Sequence, residues 1–186
     1  MQKIMFVLGG SRSGKSTFAL KETSAVSGKK AFIATAECLD EEMRVRIEKH
    51  RQERNKDWVT HEEPLYIARL MKKIRGEYDV ILIDCLTLWL SNIMHAGLNT
   101  EDEVKELTLS ISGNCPPLLY IISNEVGLGI VPESPMGRKY RDNLGFLNQE
   151  MARIANNVYF MVAGIPLEVK SEKRKGKSRK NRGFEG

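Results

Sequence analysis

An α/β domain with a mostly parallel sheet flanked by helices is the fold this sequence predicts, and three observations carry that expectation. Short, almost wholly apolar runs recur at residues 3–8, 31–35, 79–84, 118–123 and 158–162. Strands apolar at successive positions are those covered on both faces, as in parallel sheets. Segments with helical spacing or helix-end signals fall between these runs, the alternation that parallel crossovers require. A glycine-rich turn, Gly9 to Ser16, joins the first run to the first helical segment.

Taken in order, KIMFVL (3–8) reads as a buried strand and Thr17 to Ser24 as a helix. AFIAT (31–35) is the second strand. Asp40 is a good N-cap for a helix reaching roughly Arg54, with Glu41 and Glu42 favourably set in its first turn. Leu65 to Arg75 repeats apolar residues at helical spacing, and DVILID (79–84) is a third strand followed by helix through Leu90. LLYIIS (118–123) and VYFMV (158–162) complete the strands, with a helix expected from Pro135 to Asn156. The length of 186 residues fits one domain, read as 1–170, with a basic, low-complexity and disordered tail at 171–186.

Composition excludes several classes. No run of 18 uncharged apolar residues exists, so no membrane span is expected. The start, Met1-Gln2-Lys3, lacks signal-peptide character. Cys38, Cys85 and Cys115 are far apart and form no C-x-x-C pair, which fits a reducing cytoplasm and argues against a disulfide framework. The formal charge of +5 is unevenly spread. Residues 170–186 hold eight Lys/Arg against two Glu, a balance of +6, so the preceding 169 residues sum to −1. The body is not that of a nucleic-acid binder, and no specific nucleic-acid partner is expected.

The strongest chemical signal is Gly9-Gly10-Ser11-Arg12-Ser13-Gly14-Lys15-Ser16, a complete G-x-x-x-x-G-K-S phosphate loop in its required strand-to-helix context. Its glycines let backbone N–H groups wrap phosphate oxygens, Lys15 can reach the terminal phosphates, and Ser16 can ligate Mg²⁺. Asp84 closes an apolar strand, where ligands of open α/β sheets gather, and is assigned to Mg²⁺ or its waters rather than to a helix cap. Arg46, His50 and Arg54 are spaced by four on one helix face, with Arg51 beside them. That stripe suits a triphosphate, with His50 kept neutral as a nucleophile; a solvated face with an incidental histidine is the alternative. His61 falls in a turn-like segment and His95 after an apolar helix, and both read as structural or surface residues. Asn124 to Glu133, with two glycines after a strand, reads as a substrate loop.

The succession GGSRSGKS, FIATAECLDEEMRVRIEKHRQER, DWVTHEEP, ILIDCLTLWLSN, SNEVGLGIVPESPMGRKYRDNLGFLNQEMA and VAGIPLEVK resembles the bifunctional adenosylcobinamide kinase / adenosylcobinamide-phosphate guanylyltransferase family from about Lys3 to Lys170. The resemblance implies a RecA-like phosphate-loop fold, homotrimers, and two steps of cobalamin assembly. In the first, adenosylcobinamide is phosphorylated by ATP or GTP; in the second, GMP passes from GTP to that phosphate through a GMP–histidine intermediate, giving adenosyl-GDP-cobinamide and pyrophosphate. The matching histidine is His50 in RIEKHR. Further nucleotide contacts carry over to Ala34, Thr35 and Ala36, to Arg51, Gln52, Glu53 and Arg54, and to Glu62 and Asp84. Glu62 and Glu125 are the candidates for a base in the kinase step. Asn55 departs from the proline common in members, though asparagine can still support a C-terminal cap.

Other functions fit less well. Another phosphate-loop small-molecule kinase would share the loop and Asp84 with no need of His50. A regulatory GTPase would carry N-K-x-D after a strand, and Asn55-Lys56-Asp57 lacks that spacing.

Overall fold

The computed structural model describes residues 3–37, 41, 44–45, 48, 57–113 and 116–172. Seven strands among these make one sheet: β1 (Lys3–Gly9), β2 (Lys30–Ala34), β3 (Trp58–Glu62), β4 (Val80–Asp84), β5 (Leu118–Ile122), β6 (Asn157–Val162) and β7 (Ile165–Ser171). They lie in the order β3-β2-β4-β5-β1-β6-β7. Every pairing is parallel except β6 with β7, a hairpin turned at Ala163 and Gly164. Both turn residues have positive φ, 49° and 85°, as a two-residue turn between twisted antiparallel strands demands.

Five helices among the described residues cover the sheet: α1 (Lys15–Ser24), α2 (Ile67–Ile74), α3 (Leu86–His95), α4 (Thr100–Ser112) and α5 (Pro135–Ile154). Strand alternation divides the core in two. Ile4, Phe6, Ile33, Ile81, Ile83, Leu119 and Ile121 face α2, α3, α4 and α5. Val7, Phe32, Leu82, Tyr120 and Ile122 face α1 through Ala19. Strands β1, β2, β4 and β5 are therefore covered on both sides, which is why their sequences are continuous apolar runs. α2 shows how little sequence such a helix needs: Ile67, Met71 and Ile74 recur at helical spacing and are buried, while Lys72 and Lys73 face out.

The fold class is as expected, and four details differ. α1 begins at Lys15 rather than Thr17, with Gly14 as N-cap in a left-handed conformation. α3 runs past Leu90 to His95, so His95 is its last residue. His61 lies on β3, not in a turn. β7 continues to Ser171, one residue beyond the expected domain end. Of the helix expected from Asp40 to Arg54, the described residues Glu41, Arg44, Val45 and Glu48 are helical.

β3, α4 and β7 escaped the apolar-run reading. β3 and β7 are edge strands with exposed residues such as Val59, Leu167 and Val169, so neither shows a continuous apolar run. α4 was marked by its cap: Asn99 accepts from Glu101 N–H (3.0 Å) and Asp102 N–H (3.4 Å), with three acidic residues in the first turn.

Candidate active site

The site is built at the carboxyl edge of the central strands. Ala34 is level with both Glu62 and Asp84, and Ile122 with both Asp84 and Val7. The strand ends bearing Glu62, Ala34 and Asp84 thus form one row running toward the glycine loop that leaves β1.

The loop from Gly9 to Ser16 has a compact geometry that its residues explain. Gly9 has φ 149°, and a Cβ there would lie 2.6 Å from the Met161 carbonyl oxygen. Gly14 has φ 90°, and its Cβ would meet the Gly164 backbone at 3.3 Å. Both positions exclude side chains, one because β6 passes so closely and the other because the β6–β7 turn does. That turn is joined to the loop by Gly164 N–H donating to the Ser13 carbonyl at 3.0 Å. Lys15 is buried, and its Nζ donates to the carbonyls of Gly10 (2.7 Å) and Gly9 (3.2 Å), within 3.5 Å of Ser13 Oγ. The ammonium is therefore held inside the curl of the loop. Ser11 and Arg12 are exposed on its rim.

Ser16 Oγ donates to Asp84 Oδ2 at 2.6 Å, across 68 residues of sequence. This contact sets the direction of the Asp84 side chain. α3 is capped at Cys85 without a side-chain bond, so Asp84 is not a helix cap. It faces the loop. A hydroxyl and a carboxylate in contact are hard oxygen donors of the kind Mg²⁺ takes, and that ion commonly uses only one or two protein ligands beside phosphates and waters. The described residues contain no group of three or more His, Cys, Asp or Glu that could hold a metal by itself. The Ser16–Asp84 pair of oxygen donors suits an ion carried with a nucleotide.

Thr35 is tied into the strand ends behind the site. Its hydroxyl donates to the Cys85 carbonyl and accepts from the Cys85 N–H, both at 2.8 Å. Its own N–H donates to the Asp84 carbonyl at 3.2 Å, and its carbonyl accepts from Asn92 Nδ2 at 2.8 Å. Every polar group of this fully buried residue is engaged in pinning the chain around Asp84. The Asp84–Cys85 peptide it clamps is cis. Cys85 is buried beside Asp84, and burial, with the carboxylate adding to it, pushes the thiol up to about 11. It is a packing residue and not a nucleophile.

A second polar group supports the loop after β5. Thr87 Oγ1 accepts from Asn124 N–H at 2.7 Å, and the Thr87 carbonyl accepts from Tyr140 Oη at 2.9 Å. Glu125 N–H donates to the Gly9 carbonyl at 3.1 Å, which brings the loop after β5 against the phosphate loop. Beyond it Leu128 and Ile130 are 82% and 94% exposed. Sequence reasoning passed over Asn92, Tyr140 and Asn148, since nothing local distinguishes a helix-borne polar residue that braces a distant loop.

Gly9 to Ser16, Ala34 to Ala36, Glu62 and Asp84 are thus brought to one edge of the sheet. His50, Arg51, Gln52, Glu53 and Arg54 lie outside the described residues, as does Asn55. His61 Nε2 lies 3.1 Å from Tyr78 Oη, and His95 Nδ1 lies 2.8 Å from the Ser91 carbonyl.

A parallel sheet whose first strand enters a complete phosphate loop, with a facing carboxylate on a nearby strand, defines a P-loop nucleotide-using domain of the RecA-like kind. Solved structures with this fold include an ATPase of a bacterial type III secretion system (TM-score 0.56, 9% identity, covering 86% of this chain and 51% of that one). Another is a KaiC-like protein from Pyrococcus horikoshii OT3 (TM-score 0.50, 14% identity, covering 85% and 70%). Within that class, residues 5–169 match the cobinamide kinase / cobinamide phosphate guanyltransferase family, and the chain belongs to it. The bifunctional adenosylcobalamin biosynthesis protein CobP of Pseudomonas aeruginosa is 39% identical over 167 residues, 89% of this chain and 96% of that protein. The corresponding protein CobU of Escherichia coli K12 is 35% identical over 181 residues, 90% and 99%. The chain is accordingly an enzyme of a kinase and nucleotidyltransferase family of cobalamin biosynthesis. No helix among the described residues is long and apolar enough to cross a membrane.

Proposed function

We propose that this chain carries out both reactions of its family at the edge formed by Gly9–Ser16, Asp84 and the loop after β5. In the first, adenosylcobinamide is phosphorylated on its hydroxyl by ATP or GTP. In the second, GMP is transferred from GTP to the new phosphate. The observation that carries the reading is the phosphate loop with its Ser16–Asp84 pair, in a chain matched to that family over residues 5–169.

In the kinase step the loop N–H groups and Lys15 hold the terminal phosphates, and the acceptor oxygen attacks the γ-phosphorus as the bond to the β-phosphate oxygen breaks. Positioning and charge neutralisation supply the acceleration. Mg²⁺, held through Ser16 and Asp84 with the phosphates, would neutralise charge on those oxygens. Glu62 or Glu125 takes the proton that the hydroxyl releases. In the transfer step a ring nitrogen of His50 attacks the α-phosphorus of GTP, and the bond to pyrophosphate breaks while Lys15 stabilises its charge. The acceptor's phosphate oxygen then attacks the same phosphorus, the P–N bond breaks, and His50 is restored. Ala34, Thr35 and Ala36, with Arg51, Gln52, Glu53 and Arg54, supply further nucleotide contacts.

The active form is a homotrimer whose neighbouring subunits complete the site. The exposed apolar residues of the substrate loop, Leu128, Ile130 and Val131, and the outward row Ile165, Leu167 and Val169 on β7 support such an association. We assign the reactions to the cytoplasm, where nucleoside triphosphates are supplied.

The test is incubation with Mg²⁺ and α-labelled GTP, followed by denaturing electrophoresis. Acid-labile, alkali-stable label on the protein that disappears in His50→Ala is expected, with phosphorylation partly retained in that variant. GTP binding without label in the wild-type protein would instead make this a P-loop small-molecule kinase without nucleotidyl transfer.

A further inference from the structure

β5 lies between β1, which feeds the phosphate loop, and β4, which ends in Asp84. A residue at the end of β5 is thus one strand spacing, about 4.8 Å, from each. Tyr120 and Ile122 of β5 pack on the α1 side of the sheet, and Leu119 and Ile121 on the other. The hydrogen-bond ladder to β1 continues past the strand, Ser123 N–H to Val7 O and Glu125 N–H to Gly9 O, both at 3.1 Å. The chain therefore remains extended through Asn124, whose side chain falls on the α1 face with Tyr120 and Ile122. The same parity on β4 carries Asp84 to Ser16 on α1. With Ile122 level with Val7 and with Asp84, Asn124 is level with Gly9 and two residues above Asp84.

The backbone of Asn124 is secured on both sides. Its N–H donates to Thr87 Oγ1 at 2.7 Å and its carbonyl accepts from Asn148 Nδ2 at 3.1 Å. Asn148 is only 6% exposed, and its Oδ1 has no hydrogen-bond partner. Leaving a buried carbonyl oxygen unpaired is costly, so the amide is turned to serve Asn124 at the expense of its own satisfaction. The Asn124 carboxamide, half-buried, has no partner among the described residues. Nor is it needed to shape the following turn, because Glu125 Oε1 accepts the Gly127 N–H there. A firmly held backbone that presents an uncommitted amide beside a phosphate loop is the arrangement of a ligand contact.

We propose that Asn124 is a catalytic residue of the kinase step, its Nδ2–H donating to an oxygen of the terminal phosphate. The proposal rests on the reading that the nucleotide sits in Gly9–Ser16. An amide suits this position better than a carboxylate, since it donates to the phosphate without adding negative charge. It would follow the phosphoryl group as its three oxygens move outward in transfer. Thr87 and Asn148 are the positioning residues behind it.

The test compares nucleotides that differ only in the contacted group. Binding of the β,γ-imido analogues of ATP and GTP, and of ADP and GDP, is measured on wild type, Asn124→Asp, Asn124→Ala and Lys15→Ala. In Asn124→Asp the triphosphate analogues weaken about tenfold or more, while the diphosphates change less than about threefold. In Asn124→Ala the phosphorylation kcat falls about a hundredfold with little change in nucleotide KM. Thermal melting checks each variant, and Asn124→Ser, read by the same triphosphate-to-diphosphate ratio, replaces any that does not fold. In Asn124→Asp, equal weakening of both nucleotide classes, or none, overturns the proposal, as does an unchanged phosphorylation kcat in folded Asn124→Ala. Wild-type binding of all four nucleotides by Lys15→Ala instead overturns the phosphate-loop reading beneath it.

Discussion

Replacing Thr35 by valine tests how Asp84 is held. Valine keeps the shape of threonine and removes only the hydroxyl, which is fully buried and bonded both ways to Cys85 at 2.8 Å. The Cys85 carbonyl retains a second partner in the Trp89 N–H at 3.2 Å. The Cys85 N–H would be left buried without one. An orphaned buried donor costs about 1–3 kcal/mol, and the lost bond to the carbonyl adds about 1. A net destabilisation of about 2–4 kcal/mol is expected, lowering the melting temperature of a domain this size by about 4–16 °C. Nucleotide affinity should fall as well, because the released peptide lets the Asp84 carboxylate turn from Ser16. Thermal and urea unfolding measure the first effect and nucleotide titration the second. Thr35→Ser, which restores the hydroxyl, should recover most of both. A valine variant melting within about 2 °C of wild type, with unchanged nucleotide affinity, would refute the clamp.

Two further outcomes follow from the same geometry. Asp84→Asn preserves size and a hydrogen-bond acceptor for Ser16 but removes the charge. Nucleotide binding should then lose most of its Mg²⁺ enhancement, about tenfold or more, when titrations with Mg²⁺ and with chelator are compared. Stability should also decline in alkali. Burial pushes Cys85 up to about 11 and Tyr140 up to about 12. The unfolded chain therefore releases these protons first, and the folded state holds more protons as pH rises above about 9. Urea midpoints should be level up to that pH and fall beyond it. The fall should be smaller in Cys85→Ala, and an identical slope in that variant would show that the thiol has no part.

Several parts of this molecule were readable without coordinates because their signals are local. The phosphate loop is eight consecutive residues whose backbone demands dictate glycine at Gly9 and Gly14. The inner strands are apolar at successive positions because helices cover both faces of the sheet. Asp84 announced itself by ending such a run, and its carboxylate accepts from Ser16. The kinship was equally legible, since the distinctive strings run through nearly the whole domain.

What the chain order conceals is everything set by register between distant strands. His61 was mistaken for a turn residue because β3 is an edge, half exposed and polar in part, so burial writes no regular pattern into it. Nothing local to Thr35 shows that its hydroxyl bonds a peptide 50 residues away. Asn124 was one polar residue in a glycine-containing loop until the sheet order set β5 between the phosphate loop and Asp84. Local sequence determines which residues bend, extend or bury themselves, because those preferences act within a few residues. Which strand ends meet is decided by the packing of helices on both faces of the whole sheet, and only there do Ser16, Asp84 and Asn124 become neighbours.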